Sequence, residues 1–188
     1  MFLDKFKEFP RNKVLYLIVI TGFSIVLSVE ILVFIPIEAN VSGYGILEYE
    51  FAWTSTRVEQ IFSIWGSSGI DNQIAAIYWD FLFIIGYVSL TFGLIIIVLR
   101  RSKGKIKTIG SFMTITPFLT GIFDAIENIF LILMANNPTK VSNPKPLIAS
   151  LSAIGKFGFL LVVIIYFVIG LIVILIKKFK KGNELKSI

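Results

Sequence analysis

Cysteine and histidine are both absent from this chain of 188 residues. Their absence excludes disulfides, thiol nucleophiles, zinc sites built on thiolate or imidazole, and catalytic pairs of the Ser-His or Cys-His kind. A bound metal would need oxygen ligands, so the composition is compatible only with a hard cation such as Na⁺, Mg²⁺ or Ca²⁺. We therefore predict no cofactor and assign no residue as a metal ligand.

Charged residues are also scarce, at 16% of the chain, whereas hydrophobic residues make up 56%. A soluble domain contains about 45–50% apolar residues, so the composition is typical of an integral membrane protein surrounded by lipid. The net charge is +6, but the basic residues form short runs beside apolar segments. That placement serves to orient a protein in a bilayer, and we expect no nucleic-acid partner.

Four apolar stretches cover about residues 14–37, 74–99, 109–134 and 147–176. Each reaches the roughly 20 residues that a helix needs to cross a hydrocarbon core of about 30 Å. The stretches are continuously apolar rather than alternating, which indicates helices and excludes a membrane β-barrel. The sequence predicts an all-α, polytopic four-helix bundle that forms one membrane domain over residues 1–188.

Lysine and arginine predict the orientation, because basic residues are enriched in cytoplasmic segments. The first long loop contains only Arg57, and the loop before the last span contains Lys140 and Lys145. The remaining segments are richly basic, with Lys5, Lys7, Arg11 and Lys13 at the N-terminus, residues 100–107 between the second and third spans, and Lys177, Lys178, Lys180, Lys181 and Lys186 in the tail. We expect both termini in the cytoplasm.

The first outer loop, residues 38–73, contains a helical pattern. Four apolar residues recur at i, i+3, i+4 and i+7, namely Val58, Ile61, Phe62 and Trp65. Thr54 is a suitable N-cap and Gly66 a suitable stop, so we predict a short amphipathic helix over about residues 54–65. It either lies on the membrane surface or caps the outer mouth of the bundle.

Ionisable residues occur inside the predicted spans, where each costs roughly 2.5–3.5 kcal/mol on insertion scales. At a rise of 1.5 Å per residue, all of them lie about 4–10 Å from the middle of their span toward the outer face. Two spans run outward and two inward, so this agreement does not follow from sequence spacing. We predict one polar site in the outer half of the membrane, built from Glu30, Asp80, Asp124, Glu127 and Lys156.

Helical periodicity extends this set. Thr120, Asp124, Glu127 and Asn128 share a stripe of the third span at about 100° per residue. Tyr87 lies on the same face of the second span as Asp80. The face neighbours of Glu30 are apolar, which makes it the weakest member.

Four carboxylates and one ammonium would leave an excess of negative charge in a low dielectric. Either some carboxyls stay protonated, as in a proton relay, or cations occupy the site. The sequence favours an ion pair between Lys156 and either Asp124 or Glu127. The alternative is a structural pair that only fixes the packing of the helices.

Several short motifs resemble those of an uncharacterised family of small four-span prokaryotic membrane proteins. They are Leu47-Glu48 or Glu50 leading into Ala52-Trp53-Thr54 and Arg57, then Trp65-Gly66, Asp80-Phe81 with Tyr87, Asp124-Ala125-Ile126-Glu127-Asn128 and Lys156-Phe157. The resemblance implies the four-span layout, the plasma membrane of a prokaryote, and secondary site residues Glu50, Arg57 and Trp65. It implies no activity. One departure is Trp53, which stands where the family pattern has a small residue.

Three classes of function remain open. The first is binding or transport of a small molecule, proton or cation, for which so small a carrier would be expected to form a homo-oligomer. The second is a lipid-binding or assembly protein whose charges are purely structural. The third is a membrane enzyme acting on a lipid or isoprenoid by Asp/Glu acid–base chemistry. It ranks last because no residue spacing matches a metal or phosphate motif.

Overall fold

A computed structural model describes residues 9–41 and 43–184, with side chains up to residue 178. Helix makes up 85% of the structure, and the described residues contain no strand. Three of the basic residues used to predict the orientation, Lys5, Lys7 and Lys186, lie outside the described residues. The all-α prediction is confirmed.

Four helical segments are long and apolar enough to cross a membrane, as predicted: Asn12–Glu38, Ser55–Arg101, Lys105–Ala135 and Pro144–Lys178. They indicate an integral membrane protein. The individual helices are α1 (Asn12–Val29), α2 (Ile35–Glu38), α3 (Ile46–Glu50), α4 (Ser55–Arg101), α5 (Lys105–Met113), α6 (Thr116–Ala135) and α7 (Pro144–Glu184).

The helix that contains the second span begins much earlier than residue 74, because α4 starts at Ser55. The segment predicted as a separate helix over residues 54–65 is the first part of α4, and Thr54 Oγ1 accepts a hydrogen bond from the backbone N–H of Arg57. Gly66 has φ 64° and ψ −176°, which is not helical. A glycine can adopt this conformation without strain, so the chain changes direction there and helix resumes immediately.

The apolar pattern of this first part faces protein. Val58, Ile61, Phe62 and Trp65 are all buried and pack with Tyr49 of α3. The same core contains residues from the C-terminal end of α6 and the N-terminal end of α7, namely Leu131, Met134, Ala135 and Ala149. The first part of α4 and α3 therefore cover one end of the bundle.

The first span is interrupted by a π-helical turn over Glu30–Phe34, between α1 and α2. Such turns insert one extra residue per turn and occur often at functional sites. α1 packs against α4 at two glycines, where a Cβ on Gly22 would lie 2.7 Å from the carbonyl oxygen of Gly86. Small residues at this crossing allow the two backbones to approach closely.

The third span consists of α5 and α6, separated by a break next to Pro117. Proline has no N–H to donate to the carbonyl of Met113 four residues earlier, so that carbonyl lacks its helical partner. The hydroxyl of Thr116 donates to it instead, at 2.6 Å. The side-chain bond supplies the donor that the carbonyl would otherwise lack.

Candidate functional site

A lysine bound by three carboxylates lies at the centre of the bundle. Lys156 Nζ is 3.2 Å from Glu50 Oε1, 3.2 Å from Asp124 Oδ1 and 3.0 Å from Glu127 Oε2. All four residues are buried. We refer to Lys156, Glu50, Asp124 and Glu127 as the lysine cluster.

The packing of α6 on α7 creates this cluster. Asp124 and Glu127 are three residues apart and lie on one face of α6, as their spacing predicts. Gly155 precedes the lysine on α7, and a Cβ there would lie 2.7 Å from the Phe123 ring. The missing side chain brings α7 close to α6. The sequence predicts one carboxylate partner for Lys156, either Asp124 or Glu127, whereas both form ion pairs with it.

The third partner, Glu50, comes from α3, outside the spans. Its backbone carbonyl accepts a hydrogen bond from the hydroxyl of Ser150 at 2.8 Å, and the N–H of Trp53 donates to the same hydroxyl oxygen at 3.1 Å. Trp53 has φ 60°, the left-handed region that favours small residues and that fits poorly with a tryptophan. The two hydrogen bonds with Ser150 hold this turn against α7, and the turn directs Glu50 toward Lys156.

Burial raises the pKa of Glu50 above its ordinary value of 4.5. The Lys156 ammonium acts in the opposite direction and does not cancel the effect of burial. Glu50 ranked only as a secondary candidate because it lies in a loop, where no membrane depth could be assigned to it. The aromatic residues around it, Tyr49 and Phe51, were the available sign that this part of the loop is packed.

Two further hydrogen bonds extend the polar region to α4. The hydroxyl of Tyr87 donates to Asp124 Oδ2 at 2.8 Å, and Asn128 Nδ2 donates to Asp80 Oδ2 at 2.6 Å. Asp80 and Tyr87 had been assigned to one face of the second span. The structure brings both of them to the charged face of α6.

A cavity of about 230 Å³ adjoins the cluster on the side of the π turn. We call it the acidic cavity, because its lining contains four carboxylates among largely apolar residues. The lining residues are Glu30, Phe34, Ile37, Glu38, Ile46, Glu50, Gln73, Ala76, Ile77, Asp80, Asn128 and Leu131. Glu38 is exposed, which places the rim of the cavity at the end of α2.

Two buried atoms in this lining have no hydrogen-bond partner among the described residues: Glu50 Oε2 and Gln73 Nε2. Gln73 is 1% exposed and did not enter the predicted site, because it stood at the edge of the expected loop. Glu30 lines the same cavity, but its carboxylate forms no hydrogen bond or ion pair in the part of the chain that the structure describes. It is therefore close to the site without belonging to the lysine cluster.

Three of the predicted residues lie apart from the cluster. Thr120 Oγ1 donates to the carbonyl of Thr116 at 3.0 Å, within its own helix. The Arg57 guanidinium is 4.2 Å from the centre of the Tyr44 ring and donates to its hydroxyl at 3.1 Å. Trp65 Nε1 donates to the Tyr44 carbonyl at 2.6 Å, inside the apolar core. The contacts of these residues are local or structural.

The described residues contain no group of three or more acidic side chains arranged to hold a metal ion. In the lysine cluster the position between the carboxylates is taken by Lys156 Nζ. A cation that bound there would have to displace the ammonium.

No family model, curated protein or solved structure matches this chain. Function must therefore be argued from the lysine cluster and the acidic cavity themselves.

Proposed function

We propose that this protein binds a small molecule or ion in the acidic cavity and transports it, or a proton, across the membrane. The observation that supports this most directly is that Asp80 and Glu30 face a cavity while the cluster lysine is already bound by three other carboxylates. The described residues offer neither of these two acids an ion pair. Acidic groups that serve only to hold helices together would be expected to have basic partners.

Charge balance gives the second argument. Glu30, Glu50, Asp80, Asp124 and Glu127 outnumber Lys156 by an excess of four negative charges if all are ionised. An excess of this size is costly in a low dielectric, so protons or a cationic ligand must offset it. A site whose charge depends on bound protons or cations is the essential component of a proton-linked or cation-linked carrier.

We also propose that both termini lie in the cytoplasm of a prokaryotic cell and that the acidic cavity opens toward the outside of the plasma membrane. The basic link at residues 100–107 supports this orientation. In that orientation α3 and the first part of α4 cover the outer end of the bundle, and Glu38 stands at the entrance.

Reconstitution into liposomes tests the transport proposal. With a pH-sensitive dye inside, an imposed pH gradient should drive proton or cation flux in the wild type. Asp80→Asn and Glu30→Gln should reduce this flux at least tenfold. The matched controls Asp71→Asn and Glu59→Gln change exposed acids and should leave it unchanged. Equal flux in all four variants and the wild type would contradict a functional role for the cavity.

A second candidate, a purely structural charge cluster in an assembly or lipid-binding protein, is favoured by the connectivity of Lys156. Its ion pairs join α3, α6 and α7. If this were the whole role, removing Lys156 would destabilise the protein, and the cavity variants Asp80→Asn and Glu30→Gln would change neither flux nor ligand content. The same liposome experiment therefore distinguishes the two functions.

A further inference from the structure

We propose that the ligand of the acidic cavity is a small organic cation, an ammonium group attached to a short apolar body. This inference rests on the proposed function and specifies the chemical class that the cavity binds. Its basis is the combination of acidic groups, buried polar atoms without partners and an apolar wall in one small volume.

The charge of the lining selects a cation. Four carboxylates line the cavity, those of Glu30, Glu38, Glu50 and Asp80. The described residues that line it include no lysine or arginine. Lys156 binds Glu50 through Oε1 at 3.2 Å, which leaves Oε2 of the same carboxylate buried and without a hydrogen-bond partner. An ammonium group in the cavity would supply the donor that Oε2 lacks.

Gln73 points to a ligand independently of the acids. Its side chain lines the cavity, is 1% exposed, and has a buried Nε2 atom without an acceptor. A buried amide is expected to form hydrogen bonds. Rotation of the amide by 180° presents its oxygen in place of the nitrogen, so Gln73 can accept from an ammonium N–H or donate to a hydroxyl carried by the same ligand.

Apart from Asn128, the rest of the wall is apolar, which argues against a bare metal ion. Phe34, Ile37, Ala76, Ile77 and Leu131 line the cavity, and the described acids form no metal-binding group. The ring of Phe34 is packed 5.2 Å from that of Phe83, so an aromatic side chain is held in place at the cavity wall. Aromatic faces attract organic cations, and aliphatic side chains accommodate their hydrocarbon part.

The volume limits the size of the ligand. About 230 Å³ is less than the roughly 300–1,000 Å³ of pockets that hold drug-sized molecules. This is the volume that about seven or eight water molecules occupy in liquid water. The cavity therefore suits a small amine. The same ammonium chemistry is available from a free amine or from the headgroup of an aminophospholipid.

Calorimetric titration of the full chain in a maltoside detergent tests the proposal with two probes of equal size. Benzylammonium chloride should bind, whereas benzyl alcohol, which has the same ring and no charge, should bind at least tenfold more weakly. Asp80→Asn should weaken benzylammonium binding at least tenfold, and the exposed control Asp71→Asn should not. Glu30→Gln provides a second cavity variant if Asp80→Asn does not yield folded protein, as judged by gel filtration and circular dichroism.

A competition arm identifies the source of the ammonium group. Displacement of benzylammonium by phosphatidylethanolamine, but not by phosphatidylglycerol, would assign the site to a lipid headgroup. Failure of both lipids to displace it would assign the site to a free amine, and either result supports an ammonium site.

Equal affinity for the charged and the neutral probe, or unchanged benzylammonium binding in both cavity variants, would overturn the proposal. Absence of benzylammonium binding combined with proton flux that depends on Asp80 would overturn the ligand class alone and leave the proposed function standing.

Discussion

The stoichiometry of the lysine cluster is its most informative property at the scale of residues. One buried ammonium has three carboxylates within 3.2 Å, and they come from α3 and α6. The ammonium lowers the cost of burying all three, so its loss would affect more than one pair. Tyr87 and Asn128 add neutral donors to Asp124 and Asp80, and these hydrogen bonds stabilise the buried carboxylates without changing their charge.

Replacement of Lys156 by alanine should therefore destabilise the protein strongly. The change leaves Glu50, Asp124 and Glu127 buried without a cation, and removing one partner of a buried pair costs about 3–5 kcal/mol. Lys140→Ala removes an exposed lysine and should have little effect. Thermal unfolding of both purified variants measures the difference. Equal melting temperatures would contradict the cluster.

The carboxyl of Glu50 should make stability depend on pH. Burial raises its pKa above 4.5, so the folded state favours the protonated form. The stabilisation from Glu50 is complete at a pH below the ordinary pKa of 4.5. It is lost as the pH rises through the raised pKa of the folded state. The melting temperature of the wild type, relative to Glu50→Gln, should therefore fall with rising pH.

A series of melting curves at increasing pH measures this dependence. Glu59→Gln changes an exposed acid and should show a constant difference from the wild type. If Glu50→Gln also differed from the wild type by a constant amount at every pH, the carboxyl would not titrate in the expected direction.

At the scale of elements, irregular backbone occurs where the cavity and the cluster are formed. The π turn begins at Glu30, and its residues line the cavity. Trp53, with φ 60°, lies in the turn that positions Glu50, and Gly66, with φ 64°, lets α4 change direction over the end of the bundle. Regular helices alone would not bring α3 over the ends of α6 and α7.

The contact between α1 and α4 depends on Gly22. A Cβ there would lie 2.7 Å from both the Gly86 oxygen and the Leu90 nitrogen, which are backbone atoms that cannot move aside. Gly22→Ala should destabilise the protein by about 1–3 kcal/mol, the usual cost of overpacking. A Cβ on Gly158 meets nothing within 4 Å, so Gly158→Ala is the matched control and should be neutral or slightly stabilising.

Chemical unfolding in detergent measures both glycine variants. Because α1 forms part of the cavity wall through the turn that follows it, Gly22→Ala should also reduce ligand binding. Equal unfolding of the two alanine variants would mean that α1 can move away from α4 without cost.

At the scale of the whole molecule, the proposed orientation can be tested directly, because the chain contains no cysteine. Single cysteines at Glu59 and Lys103, both exposed, are placed on opposite sides of the membrane by the proposed topology. A membrane-impermeant maleimide should label Glu59→Cys in intact cells and Lys103→Cys only after permeabilisation. The reverse pattern would invert the orientation and place the mouth of the cavity on the cytoplasmic side.

Sequence and structure agree best on properties that depend on local composition. Hydropathy predicts the four spans, and helical spacing places Asp124, Glu127 and Asn128 on one face of α6. The sequence also predicts a similar depth for Asp80 and Lys156, because depth in a membrane follows from position along a helix of fixed rise.

The features that only the tertiary structure decided depend on contacts between residues that are distant in sequence. Glu50 binds Lys156 across 106 positions, and neither hydropathy nor helical period connects a loop residue to a span. Gln73 and the acidic cavity became visible only once α3, α4, α6 and the π turn were packed together. The sequence alone determined that charges would lie within the membrane, because burial of apolar segments is a local property. The packing determined that one lysine pairs with three of the acids while others face a cavity, because an ion pair forms only between groups that the fold brings within reach of each other.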